Sequence, residues 1–319
     1  MATQTETEQP TPTATPDICP LTRARVANLD SCQPTPTPRP RALIALGDSV
    51  SSGHHQNVCN AHYSKDFSYP YMLWQMLKAK GRGTWVYFPH SNSGATTETV
   101  ITSGSTSCHD VYHHTLAAAE SDLRHYKGAN NVVVITAGAN DTGWTSFILG
   151  MALRPASLRG WTPAQCRAYF RDKWRTPLGE RHIPEKIMAN VQTIVDGLGA
   201  ADPRVTIYWT SYYNMAGTAG SILLPGPGGV PISHEIFPAA CEDAVNIALG
   251  ELHSWIHTGF SRSKYGANVR WIDISGRDSP LYRRNQQPFQ ASPLPVSWPH
   301  PAKGGHAVIA QAIYSKIRP

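Results

Sequence analysis

The 319-residue chain is 41% hydrophobic and 16% charged, which supplies a large core and argues against disorder along its whole length. No run approaches the ~18 consecutive apolar residues of a membrane-crossing helix. Lys and Arg number 28 against 22 Asp and Glu, a net charge of +6, but the densest basic stretch, Arg167 to Arg181, is interrupted by Asp172 and Glu180. That excludes a dedicated nucleic-acid surface and leaves a mild preference for anionic substrates or surfaces.

Residues 1–40 contain 8 Pro and 9 Thr, alternating as TPTATP and TPTPRP. Such a segment buries too little apolar surface to offset its ordering entropy, so 1–40 is expected to be largely extended and 41–319 to form the folded domain. No apolar h-region stands behind Met1, and no signal peptide is visible. The Thr/Pro-rich start reads as the mature end left by cleavage of an export signal, with Met1 added afterwards.

From Arg41 strands and helices alternate. Arg41–Gly47 (RALIALG) is a short apolar run ending in Gly, a buried strand. Residues 70–80 begin with Pro and place Leu73, Met76, Leu77 and Lys80 at helical spacing. Thr84–Phe88 reads as a strand, Val111–Tyr126 as a helix with Leu116, Ala119 and Leu123 on one side, and Asn131–Ala137 (NVVVITA) as the clearest strand. Pro184–Leu198, Arg204–Ser211, Ala239–Thr258 and Asn268–Ile274 continue as helix, strand, helix, strand. Lys303–Ile317 closes as a helix with Ile309, Ile313 and Ile317 four apart. Five such strands argue for a parallel sheet covered on both faces, in which ligands bind beyond the carboxyl ends. Thr142–Arg181 and Tyr212–Pro238 break the alternation; both come after strands at that edge and would overhang a site.

The six cysteines, at 19, 32, 59, 108, 166 and 241, show no C-x-x-C spacing. Three disulfides in an exported protein are expected, paired as Cys19–Cys32, Cys59–Cys108 and Cys166–Cys241 so that each staples a local excursion. Other connectivities, and six reduced thiols, stay open. His54-His55 and His113-His114 are adjacent pairs that seldom converge on one ion, so no metal site is assigned.

Four strand or helix ends hold unusual residues. The first strand runs into Gly47-Asp48-Ser49-Val50-Ser51-Ser52-Gly53, where a serine between a strand and a Gly-rich turn is exposed as a nucleophile with backbone N–H groups nearby. It is not the G-x-S-x-G elbow. The second runs into Ser91-Asn92-Ser93-Gly94-Ala95-Thr96, the third into Gly138-Ala139-Asn140-Asp141, and Ser297-Trp298-Pro299-His300-Pro301 precedes the last helix. In this order GDSVSSG, NSGATT, GAND and HPAKGGH resemble the four blocks of the SGNH hydrolases, the GDSL esterase/lipase family, over roughly residues 41–317. The layout around CNAHYSKDFSYP looks most like the secreted actinobacterial branch.

The resemblance implies an α/β chain with a three-layer α/β/α flavodoxin-like fold around a five-stranded parallel sheet. It also implies a cofactor-free serine hydrolase of carboxylic esters. Ser49 would be the nucleophile and His300 the general base. The Ser49 and Gly94 backbone N–H groups and the Asn140 side chain would form the oxyanion hole. One position departs from the pattern. Family members commonly carry Asp three residues before the catalytic His, and here Ser297 stands there. The expectation is that the Ser297 carbonyl orients His300, with Asp273 or Asp278 as alternatives.

Asp48 reads as a turn-stabilising acceptor and His306 as a packing or capping residue of the last helix. Trp144 and Trp298 neighbour the proposed site, and the apolar segments 142–153 and 221–237 could line an acyl channel. The chain is thus expected to be a secreted monomer acting on a small-molecule or lipid ester. Alternatives within the same chemistry are an acetyl- or feruloyl-carbohydrate esterase and an acyltransferase. From another class comes a catalytically silent lipid- or glycan-binding protein.

Overall fold

The strand β1 (Arg41–Gly47) is inaccessible from Ala42 onward, because its near-continuous apolar run is covered on both faces. In the computed structural model the described residues are 39–53, 68–81, 83–102, 115–143, 161–174, 182–213, 222–225, 231–234, 242–275, 300–301 and 303–317. All belong to the unit Arg39–Pro319.

Around β1 lie β2 (Trp85–Ser91), β3 (Val132–Thr136), β4 (Thr206–Thr210) and β7 (Val269–Ile272), in the order β2-β1-β3-β4-β7, every pair parallel. Between β4 and β7 in sequence, β5 (Ile222–Pro225) and β6 (Pro231–His234) form a separate antiparallel pair. The helices are α1 (Ser49–Ser52), α2 (Tyr69–Ala79), α3 (Thr97–Thr102), α4 (Leu116–His125), α5 (Pro163–Trp174), α6 (Ile183–Ala201), α7 (Glu242–Arg262) and α8 (Lys303–Tyr314). Helix α2 packs with α8, while α4 and α7 both pack on α6, giving the layers that enclose the sheet. The expected three-layer α/β/α architecture with a five-stranded parallel sheet is the observed one.

Several expectations are corrected in detail. The second strand continues past Phe88 through Pro89-His90-Ser91; proline is tolerated because β2 is an edge strand, where a missing N–H leaves no ladder bond unmade. The helix expected from Val111 begins at Leu116 with Thr115 as its N-cap, the hydroxyl accepting from Ala118 N–H at 3.4 Å; residues 111–114 lie outside the described ones. Thr142–Arg181 and Tyr212–Pro238, which broke the alternation, contain helix α5 and the β5–β6 pair.

Candidate active site

Strand β1 ends on Gly47, whose φ is +110° and whose missing Cβ would point into the Thr136 carbonyl oxygen. Only glycine fits that seam. Its neighbour Asp48 donates its N–H to Thr136 O at 2.8 Å, and Gly47 O accepts from Asn92 N–H at 2.8 Å. The carboxyl ends of β1, β2 and β3 are therefore stitched together at one level.

Asp48 caps α1, its carboxylate accepting from Val50 N–H at 2.9 Å. Ser49 is the first helical residue, and first-turn N–H groups have no intrahelical acceptor. From the far end of the chain His300, just before α8, brings Nε2 to 2.7 Å from Ser49 Oγ. His300 is 9% exposed, so the pair is shielded yet reachable.

The other two blocks meet the same rim. Gly94 has φ +79° and is exposed in the turn after β2. Asn140 opens the short 3-10 turn after β3, where its Nδ2 donates to Ala95 O at 3.0 Å. That bond turns the amide toward the β2 loop and uses one of its two hydrogens. Next to it the buried Asp141 accepts from Thr97 N–H at 2.8 Å and Thr97 Oγ1 at 2.6 Å, and Asn190 Nδ2 donates to Thr97 Oγ1 at 3.0 Å. Burial lifts the Asp141 carboxyl to about 6 in spite of those Thr97 bonds.

Sequence reading did not single out the support beneath these residues. Tyr212, just beyond β4, donates its hydroxyl to Asp48 and accepts from Ala139 N–H at 3.1 Å. Its own N–H goes to His253 Nε2 of α7 at 3.2 Å. Burial is the main reason the Asp48 carboxyl sits at about 7; the Tyr212 and Val50 hydrogen bonds oppose it and the Asp141 charge reinforces it. Below α1, Tyr69 OH lies 3.1 Å from Ser51 Oγ and 3.0 Å from Thr136 Oγ1, and Ser51 Oγ accepts from Thr136 N–H at 3.0 Å. The available signal was position: Tyr69 opens a helix, and Tyr212 comes after a strand on the same edge as the four blocks.

His306 is fully buried and stacks on Tyr69 with ring centroids 6.4 Å apart. Neither ring nitrogen has a hydrogen-bond partner among the described residues. Burial first, then the charge of His300, pushes it down to about 3, so the ring is neutral. Asp273 Oδ1 accepts from Ser211 Oγ at 3.2 Å and from Ser275 N–H and Oγ at 2.8 and 2.6 Å. Ser297, Asp278, Trp144, Trp298, the adjacent histidine pairs and five of the cysteines lie outside the described residues. So do residues 144–153 and most of 221–237, the expected channel segments. Cys166 is fully buried and disulfide-bonded.

The fold is shared with two solved bacterial structures. One is an extracellular lipase from Streptomyces rimosus, 18% identical, covering 87% of this chain and all of its own, with TM-score 0.56. The other is a phospholipase A1 from Streptomyces albidoflavus, 17% identical over 87% of this chain and all of its own, with TM-score 0.55. No family model matches the chain, and no curated protein does.

Proposed function

We propose that this chain is a secreted carboxylic-ester hydrolase of the SGNH type, working through a covalent acyl-serine. The observation that carries the reading is the 2.7 Å approach of His300 Nε2 to Ser49 Oγ, two side chains 251 residues apart that meet at the carboxyl edge of a parallel sheet. A serine hydroxyl becomes an effective nucleophile when a neighbouring imidazole takes its proton. Ser49 Oγ attacks the ester carbonyl as His300 Nε2 accepts the hydroxyl proton. The resulting oxyanion is held by the Ser49 and Gly94 N–H groups and Asn140 Nδ2. Collapse expels the alcohol with the proton from His300, and water then releases the acid by the same route.

The four motif blocks support this assignment, as does the fold shared with a lipase and a phospholipase A1. For the imidazole orienter the reading keeps the Ser297 carbonyl accepting from Nδ1–H. A lipid acyl ester is the favoured substrate class, with acylated carbohydrate as its rival.

The test is hydrolysis of p-nitrophenyl acetate, butyrate and decanoate by the wild type, Ser49→Ala and Asn140→Ala. Expected are turnover by the wild type, abolition by Ser49→Ala, and a loss of about 10²–10³ in kcat by Asn140→Ala, the usual cost of one oxyanion donor. Rates equal in the wild type and Ser49→Ala, together with no labelling of Ser49 by a fluorophosphonate, would sink the reading in favour of a silent binding protein. Release of acid that falls as added alcohol raises ester turnover would instead identify an acyltransferase.

A further inference from the structure

The proposed oxyanion donors come from separate strand ends, the Ser49 N–H from α1 after β1 and Asn140 Nδ2 from the 3-10 turn after β3. A hole built this way works only if the two ends keep a fixed spacing, since every donor must meet the oxyanion at hydrogen-bond distance. The strands themselves are locked by the Asp48 N–H bond to Thr136 O. Beyond Thr136 the chain passes through Gly138, at φ +126°, before it reaches Ala139 and Asn140. Glycine can take several backbone directions, so β3 alone does not aim the turn.

The buried Tyr212 spans that gap, its hydroxyl accepting from Ala139 N–H at 3.1 Å and donating to Asp48. The directions are forced: an N–H can only donate, so the phenol oxygen accepts there and its one hydrogen goes to the carboxyl. Burial, with the Asp48 charge behind it, pushes the phenol well above 10, so it keeps that hydrogen. Asp48 in turn caps α1 through Val50 N–H. The hydroxyl therefore joins the cap of the nucleophile's helix to the residue directly before Asn140. Helix α7 braces both sides of this contact. His253 Nε2 accepts from Tyr212 N–H at 3.2 Å, and Leu252 and Ile256 come within 3.2 and 3.3 Å of where a Cβ on Gly138 would stand.

We propose that Tyr212 is a positioning residue of ester hydrolysis, its hydroxyl setting the spacing between the Ser49 N–H and the Asn140 amide and so the fit of the hole to the oxyanion. This rests on the ester-hydrolase reading. Tyr212 acts through Asp48 and Ala139 rather than on the substrate. Donors aimed at charge that develops only in the transition state raise kcat rather than tighten ground-state binding, so a defect in their spacing should fall on kcat.

Steady-state hydrolysis of p-nitrophenyl butyrate tests it in the wild type, Ser49→Ala, Asn140→Ala, Tyr212→Phe and the double variant Tyr212→Phe/Asn140→Ala, with thermal melts to establish folding. Tyr212→Phe keeps the ring and removes the bridge. It should lower kcat about 10- to 100-fold with KM within about twofold, because a misplaced donor forfeits only part of the 10²–10³ that its removal costs. In the Asn140→Ala background the same substitution should cost no more than about threefold, since the donor it positions is gone. Asp48→Asn keeps an acceptor for Val50 N–H but turns an N–H toward the phenol oxygen, leaving the Tyr212 hydrogen without its carboxylate. It should show the same kcat loss and the same non-multiplicative behaviour with Asn140→Ala, and it decides the matter should Tyr212→Phe not fold. An unchanged kcat, a loss confined to KM, or losses that multiply with that of Asn140→Ala overturn the positioning role and leave the hydrolase reading standing. Wild-type turnover no higher than that of Ser49→Ala removes the reading, and the positioning role with it.

Discussion

Asp48 caps the helix that begins with Ser49, and at the same time it is a carboxyl in a dry site. In the unfolded chain it titrates near 3.8, and in the folded protein burial lifts it to about 7. Between those values the folded state holds a proton that the unfolded chain has lost. The contribution of this group to stability is therefore full below the unfolded value and is lost as pH rises through the folded one. His253 and His306 run the other way. Burial pushes them to about 4 and about 3, so their contribution is present above 6.5 and is lost on acidification. Comparison of the wild type with Asp48→Asn cancels the histidines and leaves the aspartate. As pH is raised from about 4.5 to about 7, the difference in Tm should move steadily in favour of the variant. A difference independent of pH would mean that Asp48 ionises in the ordinary carboxylate range despite its burial. Measured beside ester turnover, the same variant also separates the cap's structural role from any loss of activity.

Elements decide how sharply such residues are held, and the junction of β1 with β3 is the clearest case. Gly47 and Thr136 are register partners, and the chain turns there so tightly that a methyl group at Gly47 would overlap the Thr136 carbonyl. Gly47→Ala should lower stability by roughly 2–6 kcal/mol, from backbone strain at positive φ plus overpacking. Chemical denaturation would register this as a shift in midpoint. An unchanged midpoint would show that the strand end can relax without cost. The same scale explains what sequence could and could not reveal. Runs such as VVVIT and RALIALG announce themselves because burial on both faces demands unbroken apolar residues, and their positions were legible to within one or two residues. Helix α1 has four residues, too few to express a period. Helix α5 buries Cys166 among exposed neighbours from Thr162 to Ala168, so these residues at its start show no apolar stripe to read. The residues of the four blocks could be named from their order. Their support could not: Tyr212, His253 and Tyr69 belong to strand ends and helices far apart in sequence, and a hydrogen bond across 164 residues leaves no local pattern.

Across the whole molecule, helix α5 raises the question of what fixes it. It packs against α7 and offers the disulfide-bonded Cys166 to the interior. Helix α7 begins at Glu242, immediately after Cys241. The proposed Cys166–Cys241 bond would thus tie the start of α7 to the helix it already touches, and would close the long excursion that carries α6, β4 and the β5–β6 pair. In the chain-entropy model a loop of this length contributes about 4 kcal/mol, less any strain. A non-reducing proteolytic map should yield a single fragment joining the peptides of residues 166 and 241, separable on reduction. Cys166→Ser should lower Tm by several degrees, and a reductant should then cost that variant less than it costs the wild type. A fragment joining Cys166 to any other cysteine would break the nearest-neighbour scheme here, and with it the reason for assigning the remaining four cysteines as two local staples. If the bond is as proposed, the loss in Cys166→Ser should fall mainly on α5 and the segments it covers. Amide exchange would then quicken in α5 and at the start of α7, while β1, β3 and the Ser49–His300 contact keep their protection, because the stitching at Gly47, Asp48 and Thr136 does not depend on that bond.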